Sequence, residues 1–271
     1  MSVLSAYKAI IQYVSKINGV ISIGKSGGEN IPTNNDSDVD IFIFCQTEPD
    51  LIERRNVLDS LNSLIDEYDI GETKDRFWGI CDFVYVQNTE ICLMYFTIGD
   101  INYEIDSVLN GSRVMREEEY FYPTGRCASI LNMTILLDKN NYIQSLKDRL
   151  VEYPDKLRES TINHHCNEIN DREDFERATS RGDVLFYHAT LELAIDHFLQ
   201  LLFAINRCYF PSRKRSLEFI KNFALKPTDC ENRLLKTIQL GSKESTLIDS
   251  YEIWSSLCSE ILELCRFIFD T

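Results

Sequence analysis

Residues 20–44 read VISIGKSGGENIPTNNDSDVDIFIF, and the fold turns on this stretch. VISIG (20–24) has the composition of a short buried strand and runs into a turn rich in Gly, Asn and Pro. DVDIFIF (38–44) then forms a second strand. Side chains alternate between the faces of a strand, so Asp38 and Asp40 share one face while Val39, Ile41 and Ile43 share the other. Past Asp40 the acidic face becomes apolar at Phe42 and Phe44, which predicts an inner strand with its acids at one exposed end.

Working outward, Leu4, Tyr7, Ile10, Ile11, Val14 and Ile17 recur at helical spacing and predict a helix over 3–17. Residues 51–66 are helical by pattern. CDFVYV (81–86) and EICLMYF (90–96), separated by QNT, predict a hairpin that extends the sheet. INYEIDSVLNG predicts a short helix closed at Asn110 and Gly111, where glycine takes the left-handed cap conformation. From there the periodicity is helical. A helix over 142–154 stopped by Pro154, charged helical segments, and a strongly apolar helix over 183–210 central to a bundle are expected. Helices near 215–224, 230–240 and 244–268 complete the chain. The fold class is α+β, with one domain over 1–112 and a helical domain over 113–271.

With 44% hydrophobic residues among 271, the chain can bury an ordinary globular core. Its apolar runs are too short or too interrupted to span a bilayer, and its first residues read as an amphipathic helix rather than a signal peptide. Nine scattered cysteines without C-x-x-C spacing suggest reduced thiols packed as small hydrophobes, so a cytoplasmic location is expected. A net charge of −15 argues against a large phosphate-backbone footprint.

Two aspartates one residue apart on a strand project side by side and can share one or two Mg²⁺ ions, which makes Asp38 and Asp40 candidate metal ligands. The turn containing Gly24, Ser26, Gly27 and Gly28 lets backbone N–H groups approach phosphates closely. Together these elements suit nucleotidyl transfer, in which negative charge builds on the α-phosphate and the departing pyrophosphate. Gly24, Ser26 and S-D-V-D at 37–40 resemble the G-S and S-D-x-D signature of the polymerase-β-type nucleotidyltransferase superfamily, which includes the aminoglycoside and lincosamide enzymes. Tyr153 and Pro154, R-G-D at 181–183 and LFAINRCYFPSRK at 202–214 resemble blocks of an uncharacterised bacterial subfamily in which a helical domain follows the nucleotidyltransferase domain. The likeness covers most of residues 18–220. It implies a small mixed β-sheet domain flanked by helices, then a helical bundle, and a nucleoside triphosphate such as ATP as substrate with Mg²⁺. Gly24 and Ser26 would hold the β- and γ-phosphates, and Lys214, with Arg213, the triphosphate.

The chain departs from that pattern twice. Lys25 stands where a second glycine is usual, and either contacts a phosphate or points to solvent. Cys92 stands where a third carboxylate, metal ligand or general base, would lie. Glu90, two residues earlier on the same face, Asp82 on the partner strand, and Glu104 could substitute. Without such an acid, the alternative is a catalytically impaired nucleotide-binding or toxin–antitoxin-type protein-interaction module; a helical scaffold with a vestigial sheet is a third reading. Arg181 and His188 have a spacing seen in some helical ribonuclease domains, a loose match. His164, His165 and Cys166 read as a polar helix face rather than a metal site. The acidic chain suits a small cationic acceptor, seated between sheet and helical domain, better than bulk nucleic acid.

Overall fold

The computed structural model describes residues 3–27 and 38–270, which fold as two compact units, Met1–Asp106 with Arg126–Glu152 and Ser107–Gly125 with Tyr153–Thr271. The first unit holds β1 (Val20–Lys25), β2 (Val39–Cys45), β3 (Glu67–Asp69), β4 (Ile80–Val86), β5 (Thr89–Thr97) and β6 (Thr134–Asp138). They form one sheet in the order β3-β4-β5-β2-β1-β6, with β2 and β5 parallel and the other neighbours antiparallel. β2 is therefore an inner strand. The α+β class read from the sequence holds.

Helices α1 (Val3–Val14) and α2 (Leu51–Asp59) bury Ala6, Ile10 and Leu58 together with Ile23, Ile41 and Leu93 of the sheet. Asp50 caps α2 by accepting from the N–H groups of Ile52 and Glu53. This helix stops at Asp59, short of the expected residue 66, because the following residues are drawn to the free edge of β4. There Glu67–Asp69 pairs as β3, and the Asp66 N–H reaches the Tyr85 carbonyl at 2.9 Å. The β4–β5 hairpin turns at Gln87 (φ 49°) and Asn88 (φ 65°), two left-handed residues whose twist matches that of the paired strands.

Helix α3 (Ile98–Leu109) ends as the sequence predicts, with Gly111 at φ 75°. Farther along the chain the first unit resumes, over Arg126–Glu152. After α4 (Pro123–Asn132), the segment T-I-L-L-D folds back as β6 on the open edge of β1, pinned by the Ser22 hydroxyl donating to Asp138 at 2.7 Å. Its apolar centre carries no period-2 alternation to announce a strand. Helix α5 (Tyr142–Leu150) follows, and Pro154 serves as the N-cap residue of α6 (Asp155–His165) rather than as a simple stop.

In the second unit α6 is joined by α7 (Arg172–Arg181), α8 (Val184–Ile205), α9 (Ser216–Ile220), α10 (Cys230–Leu240) and α11 (Leu247–Asp270). Helix α8 is the central element: Tyr187, Leu191, Phe198, Leu202 and Phe203 are buried in one core with Trp254 of α11, whose indole N–H reaches the Ile169 carbonyl at 3.1 Å. All nine cysteines are free thiols. Among the described residues no helix is long and apolar enough to cross a membrane.

Candidate functional site

The Ser26 N–H donates to the Asp40 carbonyl at 2.9 Å, so the end of β1 and the acidic end of β2 are held together by backbone. Gly27 then leaves the strand at φ 77°, and no described residue lies within 4 Å of where a Cβ would sit. Gly28 and Ser37 lie outside the described residues. Asp38 and Asp40 are both exposed, and Val39 between them is buried, as the alternation requires.

Strand register decides which acids can join them. Asp40 stands beside Cys92 and Val39 beside Ile91 in the parallel β2–β5 ladder, so Glu90 falls in line with Asp38. Neighbouring strands lie about 4.8 Å apart, which puts Glu90 and Cys92 on the face of Asp38 and Asp40. Asp82 is opposite Leu93, which in turn is beside Ile41, and so projects from the other face. There it is fully buried, ion-paired with the buried Arg54 and accepting from the Gly71 N–H at 3.0 Å. Burial raises its pKa against the pull of the Arg54 charge. Asp82 is thus a core ion pair and does not reach the corner. Glu104 is also engaged, 3.5 Å from the Arg126 guanidinium. That guanidinium is buried over the rings of Phe96, Phe42 and Trp78, at 4.4, 5.1 and 5.5 Å.

Lys25 is only 5% exposed, and its ammonium donates to the Ser26 carbonyl at 3.3 Å, which removes the solvent-pointing alternative. Burial lowers its pKa and the Asp40 charge works in the opposite direction. Gly24 has a packing reason to be glycine: a Cβ there would meet Met133 Sδ at 2.3 Å. Among the described residues no three His, Cys, Asp or Glu side chains come close enough together to hold a metal ion.

The motifs of the second unit resolve into structural roles. Gly182 closes α7 in the left-handed conformation, and Asp183 caps α8 by accepting from the Phe186 N–H, so R-G-D marks a helix stop and restart. Asn206 brackets the end of α8 through the Leu202 and Leu225 carbonyls at 2.8 and 2.7 Å. Arg213 is bound to Asp196 at 2.7 Å and paired with Glu192, while Tyr122 and Gln200 also donate to Asp196. Burial alone would lower the Arg213 pKa, but the bond and charge of Asp196 raise it overall. Lys214 is exposed beside it.

Residues 122–215 match a family described as a domain of unknown function, DUF4037. The matched stretch contains Tyr122, Asp196 and Arg213 but leaves β1 and β2 outside. No curated protein matches the chain. Among solved structures it is similar to a nucleotidyltransferase-like protein from Exiguobacterium sibiricum, at 14% identity and a TM-score of 0.48, over 97% of this chain and 74% of that one. It is also similar to the soluble domain of CorA from Methanocaldococcus jannaschii, at 14% identity and a TM-score of 0.18, over 88% of this chain and 98% of that one.

His165 departs from the sequence reading. It is 1% exposed, and its Nε2 lies 3.2 Å from the Val114 carbonyl, so Nε2 carries the proton. Its Nδ1 then accepts from His197 Nδ1 at 2.7 Å. Burial, followed by the nearby His197 charge, pushes its pKa down to about 3. His197 lies 32 residues farther on, so no local spacing could pair the two. A histidine on an apolar helix is the one signal available.

Proposed function

We propose that the corner built by Ser26, Asp38 and Asp40 binds a nucleoside triphosphate with Mg²⁺ and transfers its nucleoside monophosphate to a hydroxyl of an acceptor. The observation that supports this most is the bond from the Ser26 N–H to the Asp40 carbonyl, which sets a Gly-Ser turn against a pair of strand-end carboxylates. Because that N–H is committed to the strand, the Ser26 hydroxyl and the Gly27 backbone are the groups that the described part of the turn offers to phosphate. Two exposed carboxylates suit a hard cation that takes its remaining ligands from phosphate and water, and a metal that arrives with the triphosphate needs no third protein donor. Asp38 and Asp40 would hold the Mg²⁺, which would supply positive charge against the α-phosphate and the leaving pyrophosphate. Glu90, in line with Asp38, accepts the proton of the acceptor hydroxyl. The buried Lys25 ammonium adds positive charge behind Asp40. A cationic hydroxyl compound of small size is the acceptor class that suits a chain of net charge −15.

A second reading, nucleotide binding without turnover, is favoured by the position of Cys92 directly beside Asp40, where the resemblance expects a carboxylate. Thermal denaturation with ATP, GTP, CTP or UTP tests binding: a midpoint that rises only with Mg²⁺ present supports it, and no rise with any triphosphate refutes both readings. Incorporation of labelled nucleotide into a candidate acceptor then separates them. Unchanged transfer by the Asp38→Asn, Asp40→Asn double variant would place the metal site elsewhere.

A further inference from the structure

The face of the sheet that carries Asp38 and Asp40 is covered at one end and open at the other. Phe42, Phe44, Met94 and Phe96 lie buried along it, whereas Asp38 and Asp40 are exposed. At the open end the strand registers set out two rows across four strands. In the first, Glu90 on β5 is in line with Asp38, Tyr85 on β4 is opposite Glu90, and Glu67 on β3 is opposite Tyr85. In the second, Asp40, Cys92, Phe83 and Asp69 succeed one another in the same way. Directly paired residues share a face, so each row runs from an acid of the corner, over an aromatic ring on β4, to an acid on the edge strand. Phe83 and Tyr85 are half-buried, and Glu67 and Asp69 are exposed. Neither row holds a basic residue. The alternate residues of β4, Asp82 and Val84, are fully buried on the other face.

We propose that the aromatic strip of Phe83 and Tyr85 is the acceptor subsite and takes a compact polyol carrying two or more ammonium groups, an assignment that rests on the nucleotidyl-transfer reading above. An aromatic ring on an open sheet face presents its negative quadrupole to solvent, and an ammonium group set over it is attracted while keeping part of its water. The carboxylates on either side of the rings add to that attraction and repel an anion. A neutral polyol gains nothing from them. Phe83 and Tyr85 stand two strand spacings from Asp40 and Asp38, roughly 10 Å, and Glu67 and Asp69 stand one spacing farther. A molecule of about that length rests its charged end on the rings and the edge acids while its hydroxyl lies over Glu90. Net charge alone selects the sign of the acceptor; the two rows add a place for its charge and a direction for its hydroxyl.

The test is calorimetric titration of the full-length chain, in slightly acidic buffer of low salt, with two probes of one skeleton. One is the disaccharide of deacetylated chitin, with an ammonium group on each sugar; the other is cellobiose, its neutral counterpart. The amino disaccharide is expected to bind, and cellobiose to bind at least about tenfold more weakly. Tyr85→Leu, Phe83→Leu and the paired Glu67→Gln, Asp69→Asn variant each weaken the amino disaccharide about fivefold. The Mg²⁺-dependent rise in midpoint with triphosphate persists in all three. Glu173→Gln with Glu176→Gln, at two exposed acids of α7, removes the same charge elsewhere and leaves binding intact. Equal binding of the two disaccharides, or an equal loss in the α7 variant, overturns the proposal. So does a lost triphosphate response in Tyr85→Leu, which would give the rings to the nucleobase. A parent chain that responds to triphosphate but does not bind the amino disaccharide refutes the acceptor subsite alone, whereas one that binds the disaccharide and responds to no triphosphate refutes the nucleotide reading and with it the acceptor role.

Discussion

Replacing Asp82 separates a structural acid from a catalytic one. In Asp82→Ala the Arg54 guanidinium, 2% exposed, loses its counterion, and the Gly71 N–H loses its acceptor. Breaking a buried ion pair by removing one partner costs about 3–5 kcal/mol, because the remaining charge is left uncompensated in a low dielectric. With a urea slope of about 2 kcal/mol per molar, the midpoint falls by about 1.5–2.5 M. The assay is urea unfolding followed by hydrogen exchange in peptides from β4 and β5, which reports the first unit alone. The paired substitution Arg54→Met with Asp82→Leu removes both charges, and most of the lost stability returns, to within about 1 kcal/mol of the parent. The Mg²⁺-dependent response to triphosphate persists in the paired variant. A midpoint shift below about 0.5 M in Asp82→Ala, together with loss of the triphosphate response, would refute the assignment of Asp82 to the core.

Gly24→Ala places a methyl against Met133 Sδ and lowers stability by about 1–3 kcal/mol through overpacking; adding Met133→Ala relieves the contact, so a denaturation cycle shows positive coupling. His165 refuses in the fold a proton that the unfolded chain accepts: its pKa falls from 6.5 to about 3. The unfolded state binds more protons in that window, stability drops as pH falls from about 6.5 toward 3, and the loss is about 2 kcal/mol at pH 5. His165→Gln flattens this acid limb in urea titrations at pH 7 and 5, and an unaltered limb would rule His165 out as its source. Asp183→Ala removes the cap of α8 and costs about 1 kcal/mol, read as a lower midpoint for exchange in α8 peptides.

Short-range order in this chain was written locally. The alternation in DVDIFIF set β2 with its acids exposed at one end, the helical periods set α1 and α8, and the glycine after Asn110 set the close of α3. These signals are readable because a strand or helix expresses its environment with a period of two or 3.6 residues. Local pattern was silent wherever a partner distant in sequence decides. T-I-L-L-D becomes β6 because β1 has an open edge, and the residues after Asp59 leave the helix because β4 has one. The period of two favours Glu90 over Asp82 as third acid yet leaves Asp82 able to reach across the hairpin; the β4–β5 and β2–β5 registers put the two on opposite faces. Lys25 could be read as solvated until its burial was known, and His165 awaited His197. The sequence by itself determined which residue types stand at the corner; register, a long-range property of pairing, determined which of them meet.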